Sequence, residues 1–235
     1  MAKDDLHWFD YGETLWNERR KASEWHFDPA VKSEPKDNVN INFIKFRGDW
    51  KQELEQTKFE EDAPMDLSQY LLRIGIQEHV NLGIDTTKIY GKRATVTPDI
   101  HKKITKIIDT FQLEKPYAQI MYQKPGNMHT LHIDAICHDN FGRNKVTSID
   151  EVNFDDTRSR VFVALEDWQW GQFMMMGNHQ WVQWKAGDVM WFKWQDIPHA
   201  TANAGHRARP MLKITGKTTP EFEALLKEDG KVFNV

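Results

Sequence analysis

Ala186-Gly187-Asp188-Val189-Met190-Trp191-Phe192-Lys193-Trp194 decides how the second half of this chain is read. A glycine-containing turn runs into a short string of β-branched, aromatic and large apolar residues, which reads as a strand. The same texture repeats outward from it. Residues 158–166, 171–176, 180–184, 189–194 and 209–215 all read as short strands separated by turns. Upstream, residues 117–122 form another strand, and Pro125-Gly126 turns the chain into a strand carrying His132.

Helical signals flank this block. Thr97 is placed to cap a helix over 98–111, with Pro98 at its first position, Asp99 in its first turn, and Ile100, Ile104, Ile107, Ile108 and Phe111 as one apolar stripe. A second, short helix begins at Thr219-Pro220-Glu221 and runs to Leu226, and Asp49 can cap a third near Trp50. Val39, Ile41 and Phe43 alternate with Asn38, Asn40 and Asn42, predicting a strand with one wet face. Residues 12–34 are polar with scattered aromatics, and 71–83 fit no single pattern. The expected fold is mainly β with flanking helices (α+β), around an antiparallel double-sheet jelly roll, or double-stranded β-helix, of the cupin type. The expected organisation is one structural domain: an N-terminal elaboration over 1–97, a core with its supporting helix over 98–219, and a C-terminal helix and tail over 220–235.

Composition sets outer bounds. With 235 residues, 40% of them hydrophobic, the chain can bury one good core. A net charge of -4 and a pI near 6.2 argue against a general nucleic-acid binder. Cys137 stands alone, so no internal disulfide forms, and no run approaches the roughly twenty apolar residues that span a bilayer. A soluble, cytoplasmic protein is expected. Ten tryptophans are unusual, and Trp168, Trp170, Trp181, Trp184, Trp191 and Trp194 fall in the β-rich block. They either fill and cover the jelly roll or line a pocket that stacks on a substrate.

Chemistry concentrates in His132-Ile133-Asp134, in His199 about sixty residues later, and in Arg209 ten residues beyond that. Alternate residues of a strand share a face, so His132 and Asp134 can reach one metal together. Two imidazoles and a carboxylate on one face of a metal leave open positions, the arrangement of non-haem Fe(II) oxygenases. A bare His-x-Asp triplet arises by chance about once in a chain of this composition. His26-Phe27-Asp28 is a second one, without strand signal or partner. His129 and His138 are not needed as ligands, and Met174-Met175-Met176 reads as packing.

At this point the chain resembles the 2-oxoglutarate/Fe(II)-dependent oxygenase superfamily, in its prolyl-hydroxylase-like and aspartyl/asparaginyl β-hydroxylase-like branches. The resemblance rests on Tyr122-Gln-Lys-Pro-Gly126, His132-Ile-Asp134, Arg160-Val-Phe-Val-Ala-Leu165, Gly187-Asp-Val-Met-Trp-Phe192, His199-Ala-Thr-Ala-Asn203 and Arg209-Pro-Met-Leu-Lys-Ile214, and spans roughly 117–216. It implies His132, Asp134 and His199 as the catalytic iron ligands. It also implies Arg209, with Tyr122, as the pair that holds the distal carboxylate of 2-oxoglutarate, and Arg160 as an arginine facing the pocket. Guanidinium–carboxylate geometry suits Arg to that task. Arg207 is its competitor, Tyr122 can also be an ordinary strand tyrosine, and Arg160 a solvated strand end. The β-hydroxylase branch has His where this chain has Phe162.

The resemblance further implies Fe(II), 2-oxoglutarate and O2 as requirements, with ascorbate as a reductant, and hydroxylation of a C–H bond in a peptidyl or free amino acid. The partner is then a small-molecule or peptide substrate, while charge and hydropathy give no sign of a membrane partner or of general nucleic-acid binding. The texture is also similar to compact hydroxylases of tailed phages, which would place the protein in a host cytoplasm. Two other classes stay open: a non-oxygenase metal-dependent cupin (isomerase or lyase), and a tryptophan-rich carbohydrate-binding jelly roll.

Overall fold

The computed structural model describes residues 35–61, 91–132, 157–194 and 196–235; of Glu61 and residues 130–132 the backbone alone is described. In chain order the elements are β1 (Val39–Arg47), α1 (Lys51–Gln56), β2 (Glu60–Glu61), β3 (Lys92–Thr95), α2 (Lys102–Thr110), β4 (Glu114–Gln123) and β5 (Met128–His132). There follow β6 (Arg158–Ala164), β7 (Gln172–Met176), β8 (His179–Trp181), β9 (Asp188–Phe192), β10 (His199–Asn203), β11 (Arg209–Lys217), α3 (Pro220–Leu225) and β12 (Lys231–Asn234). Segments 12–34 and 71–83, His26, Asp134, Cys137 and His138 lie outside the described residues.

Among the described residues the strands form an eight-stranded sheet, ordered β12-β1-β9-β6-β11-β4-β3-β2, and a four-stranded sheet, ordered β5-β10-β7-β8. Eight of them are nested: β4 pairs with β11, β5 with β10, β6 with β9 and β7 with β8, all antiparallel. That is the pairing of one long hairpin rolled up so that its halves alternate between two sheets, a mixed α/β architecture consistent with a jelly-roll-like core. Among the described residues no pairing joins the two sheets into a closed barrel.

The two faces of the large sheet carry separate cores. On the outer face Ile104, Ile107, Ile108 and Phe111 of α2 and Phe222 and Leu225 of α3 cover Ile120, Val161, Val163, Val189, Leu212 and Ile214. On the inner face Ala164, Met190, Phe192 and Met211 meet Met174, Met176 and Trp181 of the small sheet, with Trp184 and Trp194. Alternation along β6, β9 and β11 divides the residues between these cores. Fully burying one such side chain contributes about 1.5–3 kcal/mol.

Three local expectations change. The helix expected from Pro98 begins at Lys102, because Ile100 and His101 donate to the Thr97 carbonyl in a preceding turn and Ile100 lies exposed. Glu53 of α1 instead accepts from the backbone amides of Lys103 and Ile104, at 2.8 and 3.1 Å, completing the helix start from another element. In β1, Asn42 has φ +60, and pairing with β9 shifts between Ile41 and Lys45. This bulge moves the following Phe43 and Ile44 into the outer core, while Asn40 is buried and donates to the Leu226 carbonyl at 2.8 Å, so the asparagine face is not uniformly wet. Third, Lys231–Asn234 is a strand pairing parallel with β1 rather than a tail. The turn before β9 needs its glycine: Gly187 has φ +86, and a Cβ there would strike the Phe46 carbonyl.

Candidate functional site

β10 brings His199 into the space between the sheets. Its ring lies edge-on to Phe192, centroids 4.7 Å apart, and is buried. Nδ1 sits 2.9 Å from the Ile197 carbonyl, which can only accept, so the neutral ring carries its proton on Nδ1 and a lone pair on Nε2. Metal-binding imidazoles are commonly fixed in this way, through their second nitrogen. The Cα of His199 stands opposite that of His132 on one side and of Met176 on the other. The side chain of His132 and all of Asp134 lie outside the described residues. Among the described residues no three His, Cys, Asp or Glu side chains form a metal-binding group.

Arg209 opens β11 on the same inner face and is only 6% exposed. Nη1 donates to the Phe173 carbonyl at 3.0 Å, the guanidinium carbon lies 6.0 Å from the Trp184 ring centroid, and the buried Nε has no partner among the described residues. Burial alone pushes the group down to about 9, with no neighbouring charge contributing. It therefore keeps its charge at neutral pH. A buried cation normally has an anionic partner, because desolvation is costly without one. Arg209 has none among the described residues.

The approach to Arg209 is braced. Asn203 donates to the carbonyls of Gln123 and Arg207, at 3.0 and 2.8 Å, and accepts from the Gly205 amide at 3.1 Å. Gln172 donates to the Arg207 and Ala208 carbonyls, at 3.0 and 3.3 Å. These bonds hold the turn between β10 and β11, so the guanidinium enters a position fixed before any ligand arrives.

The remaining candidates go elsewhere. Arg209 pairs with Gln123 in the ladder and Pro210 with Tyr122, so Tyr122 faces the opposite side of the sheet from Arg209. Its ring packs on Phe59, 4.5 Å between centroids, beside an open cleft of about 720 Å³ that also includes Lys92, Lys124 and Arg207. The structure does not bring Tyr122 to Arg209. Arg160 is on the inner face, its Nε donating to Thr215 at 2.9 Å and its guanidinium 3.9 Å from the Trp194 ring centroid. Thr215 is six residues along β11 from Arg209, about 20 Å of strand, so the two arginines do not share one small anion. Arg207 is exposed.

Trp181, Trp184 and Trp194 are core residues, whereas Trp170 is 83% exposed and packs on Trp168 at 5.0 Å. Met174 and Met176 are likewise core. The sequence reading missed Gln123, Thr201 and Gln172 and assigned no role to Asn203. Strand parity relative to Arg209 was the only available signal for Gln123, and it requires the β4–β11 register.

No protein-family model and no curated protein matches this chain. Solved structures to which it is similar include a prolyl-4-hydroxylase of Pseudomonas putida, with 18% identity over 71% of this chain and 96% of the other and a TM-score of 0.41. They also include a viral collagen prolyl hydroxylase of Paramecium Bursaria Chlorella virus-1, with 14% identity over 60% of this chain and 87% of the other and a TM-score of 0.41. A third is a predicted oxalate decarboxylase of Thermotoga maritima, with 14% identity over 54% of this chain and 80% of the other and a TM-score of 0.32.

Proposed function

We propose that this chain is an Fe(II)/2-oxoglutarate-dependent oxygenase on a double-stranded β-helix, hydroxylating a C–H bond of a peptidyl or free amino acid. The observation that carries the proposal is the buried, charged Arg209, which has no anionic partner among the described residues and faces the space that His199 also enters. A dicarboxylate that is anchored by one end on a metal and by the other on this guanidinium fits that arrangement.

The residues suit the metal as well. His199 offers Nε2 as its lone-pair nitrogen, and the backbone of His132 stands directly across from it. In this reading His132, Asp134 and His199 hold Fe(II), and Arg209 holds the far carboxylate. When bound, the iron couples oxidative decarboxylation of 2-oxoglutarate to succinate and carbon dioxide with hydroxylation of the substrate. The protein's part is to orient and to exclude water. Ile197 fixes the His199 tautomer, Asn203 and Gln172 fix the turn before Arg209, and Phe192 shields the imidazole. Arg160, level with Phe192 on the inner face, lies on the substrate side. An isomerase or lyase has no use for a second, buried cationic anchor. A sugar-binding surface is poorly served by Trp181, Trp184 and Trp194, which are buried.

The test is uncoupled turnover. Protein given Fe(II), ascorbate, oxygen and 2-oxoglutarate should release succinate slowly, and anaerobic addition of 2-oxoglutarate to the Fe(II) protein should give a weak visible charge-transfer band. Iron-loaded protein showing neither would return the lyase and lectin readings to the front.

A further inference from the structure

Resting on that reading, we infer that Gln123, rather than Tyr122, is the second side chain that binds the distal carboxylate beside Arg209. Gln123 and Arg209 are directly paired across β4 and β11, so their side chains leave the sheet on the same face with Cβ atoms about 5 Å apart. Both are buried, Gln123 at 7% exposure. Each carries one buried polar atom with no partner among the described residues: Oε1 of Gln123 and Nε of Arg209. Two unsatisfied polar groups on one register pair are costly for an empty fold, and a ligand between them removes the cost.

Thr201 makes the amide adaptable. Gln123 now donates from Nε2 to Thr201 Oγ1 at 3.0 Å, leaving Oε1 buried without a partner among the described residues. A hydroxyl donates as readily as it accepts, so a half-turn of the amide lets Thr201 donate to Oε1 and turns Nε2 toward an anion. The carboxylate then receives N–H donors from both Arg209 and Gln123. Tyr122 has no such access, since its ring is on the opposite face against Phe59.

Calorimetric titration of Mn(II)-loaded protein, with 2-oxoglutarate and with 2-oxopentanoate, tests this without turnover. The second acid keeps the chelating head and the five-carbon length but lacks the distal carboxylate. Gln123→Leu should weaken 2-oxoglutarate about tenfold to a hundredfold, as loss of a hydrogen bond to a charged group does, and leave 2-oxopentanoate unchanged. Tyr122→Phe should change neither. Gln123→Glu, which keeps the shape and the bond to Thr201 but sets a negative charge beside Arg209, should remove the preference for 2-oxoglutarate, and it serves also where the leucine variant fails to fold. Selective weakening by Tyr122→Phe, or full affinity in both Gln123 variants, overturns the inference while leaving the oxygenase reading intact. Wild-type protein that does not prefer 2-oxoglutarate to 2-oxopentanoate overturns both.

Discussion

His132 and His199 stand directly opposite each other in the β5–β10 ladder, and a register shift separates that pairing from the next one, His129 with Thr201. Three residues of β5 thus span two of β10, the signature of a bulge, and bulges commonly re-aim a side chain beside a site.

Iron affinity should depend on the residue at the bulged end. His132→Ala, Asp134→Ala and His199→Ala should each lower Fe(II) affinity by more than the roughly 10- to 100-fold that loss of an outer-shell partner costs. Anaerobic equilibrium dialysis reads the change, and His129→Ala should match wild type. A metal-loaded structure with His129 or His26 in the coordination sphere would refute the ligand set.

Arg209 should trade stability for binding. Replacing it with Met removes a buried charge that has no anionic partner among the described residues, so the ligand-free variant should gain about 1–4 kcal/mol. Urea denaturation should show that gain, together with loss of any stabilisation by 2-oxoglutarate. Arg207→Ala should change neither quantity; if it abolishes 2-oxoglutarate binding while Arg209→Met does not, the anchor is Arg207.

Binding should also follow Arg209's proton. Burial lowers the group from its ordinary value to about 9, so the cation is intact below that pH and is lost as pH rises through it. Affinity for 2-oxoglutarate should be insensitive to Arg209 titration up to pH 8 and should fall above about 9. The ligand-free fold gains stability over the same upward passage, because above about 9 the unfolded chain still binds a proton that the folded one has released. In Arg209→Lys the drop should come about two pH units lower, since lysine starts from a lower value. An unshifted profile would mean that another group governs binding.

Asn203→Ala should loosen the turn before Arg209. It deletes two bonds donated to carbonyls and one accepted from the Gly205 amide; the Arg207 carbonyl keeps Gln172 as a donor, and leaving a buried group such as the Gly205 amide unpaired costs about 1–3 kcal/mol. Thermal or urea denaturation should show a loss in that range, and the affinity for 2-oxoglutarate should fall with it. Full stability in the variant would mean that the turn is held by Gln172 alone.

The β-rich block was legible because short apolar runs between glycine turns leave few alternatives. Strand positions followed from residues such as Val189 to Phe192, and the α2 stripe from Ile104, Ile107, Ile108 and Phe111. What local pattern could not carry was register. Tyr122 and Gln123 are neighbours in sequence with opposite destinations, and only pairing with Arg209 distinguishes them. The α2 start escaped for a similar reason, because Glu53, some fifty residues upstream, supplies the acceptor that local rules sought at Thr97. β12 was missed since its short, half-polar run gains its order from pairing with β1.

That last pairing bears on how the molecule is made. β1 lies between β9 and β12, so neither of its edges can be satisfied until residues beyond 187 and 230 have been synthesised. A growing chain must carry the segment from Val39 to Phe46, with its core residues Phe43, Ile44 and Phe46, unpaired until those later residues are made, and contacts of such sequence separation form slowly. Ending the chain before Lys231 would leave one edge of β1 open to other chains, a recognised route to aggregation. Peptide tags that disturb Val235, whose amide donates to the Arg47 carbonyl at 2.9 Å, should therefore lower soluble yield more than tags placed ahead of residue 35.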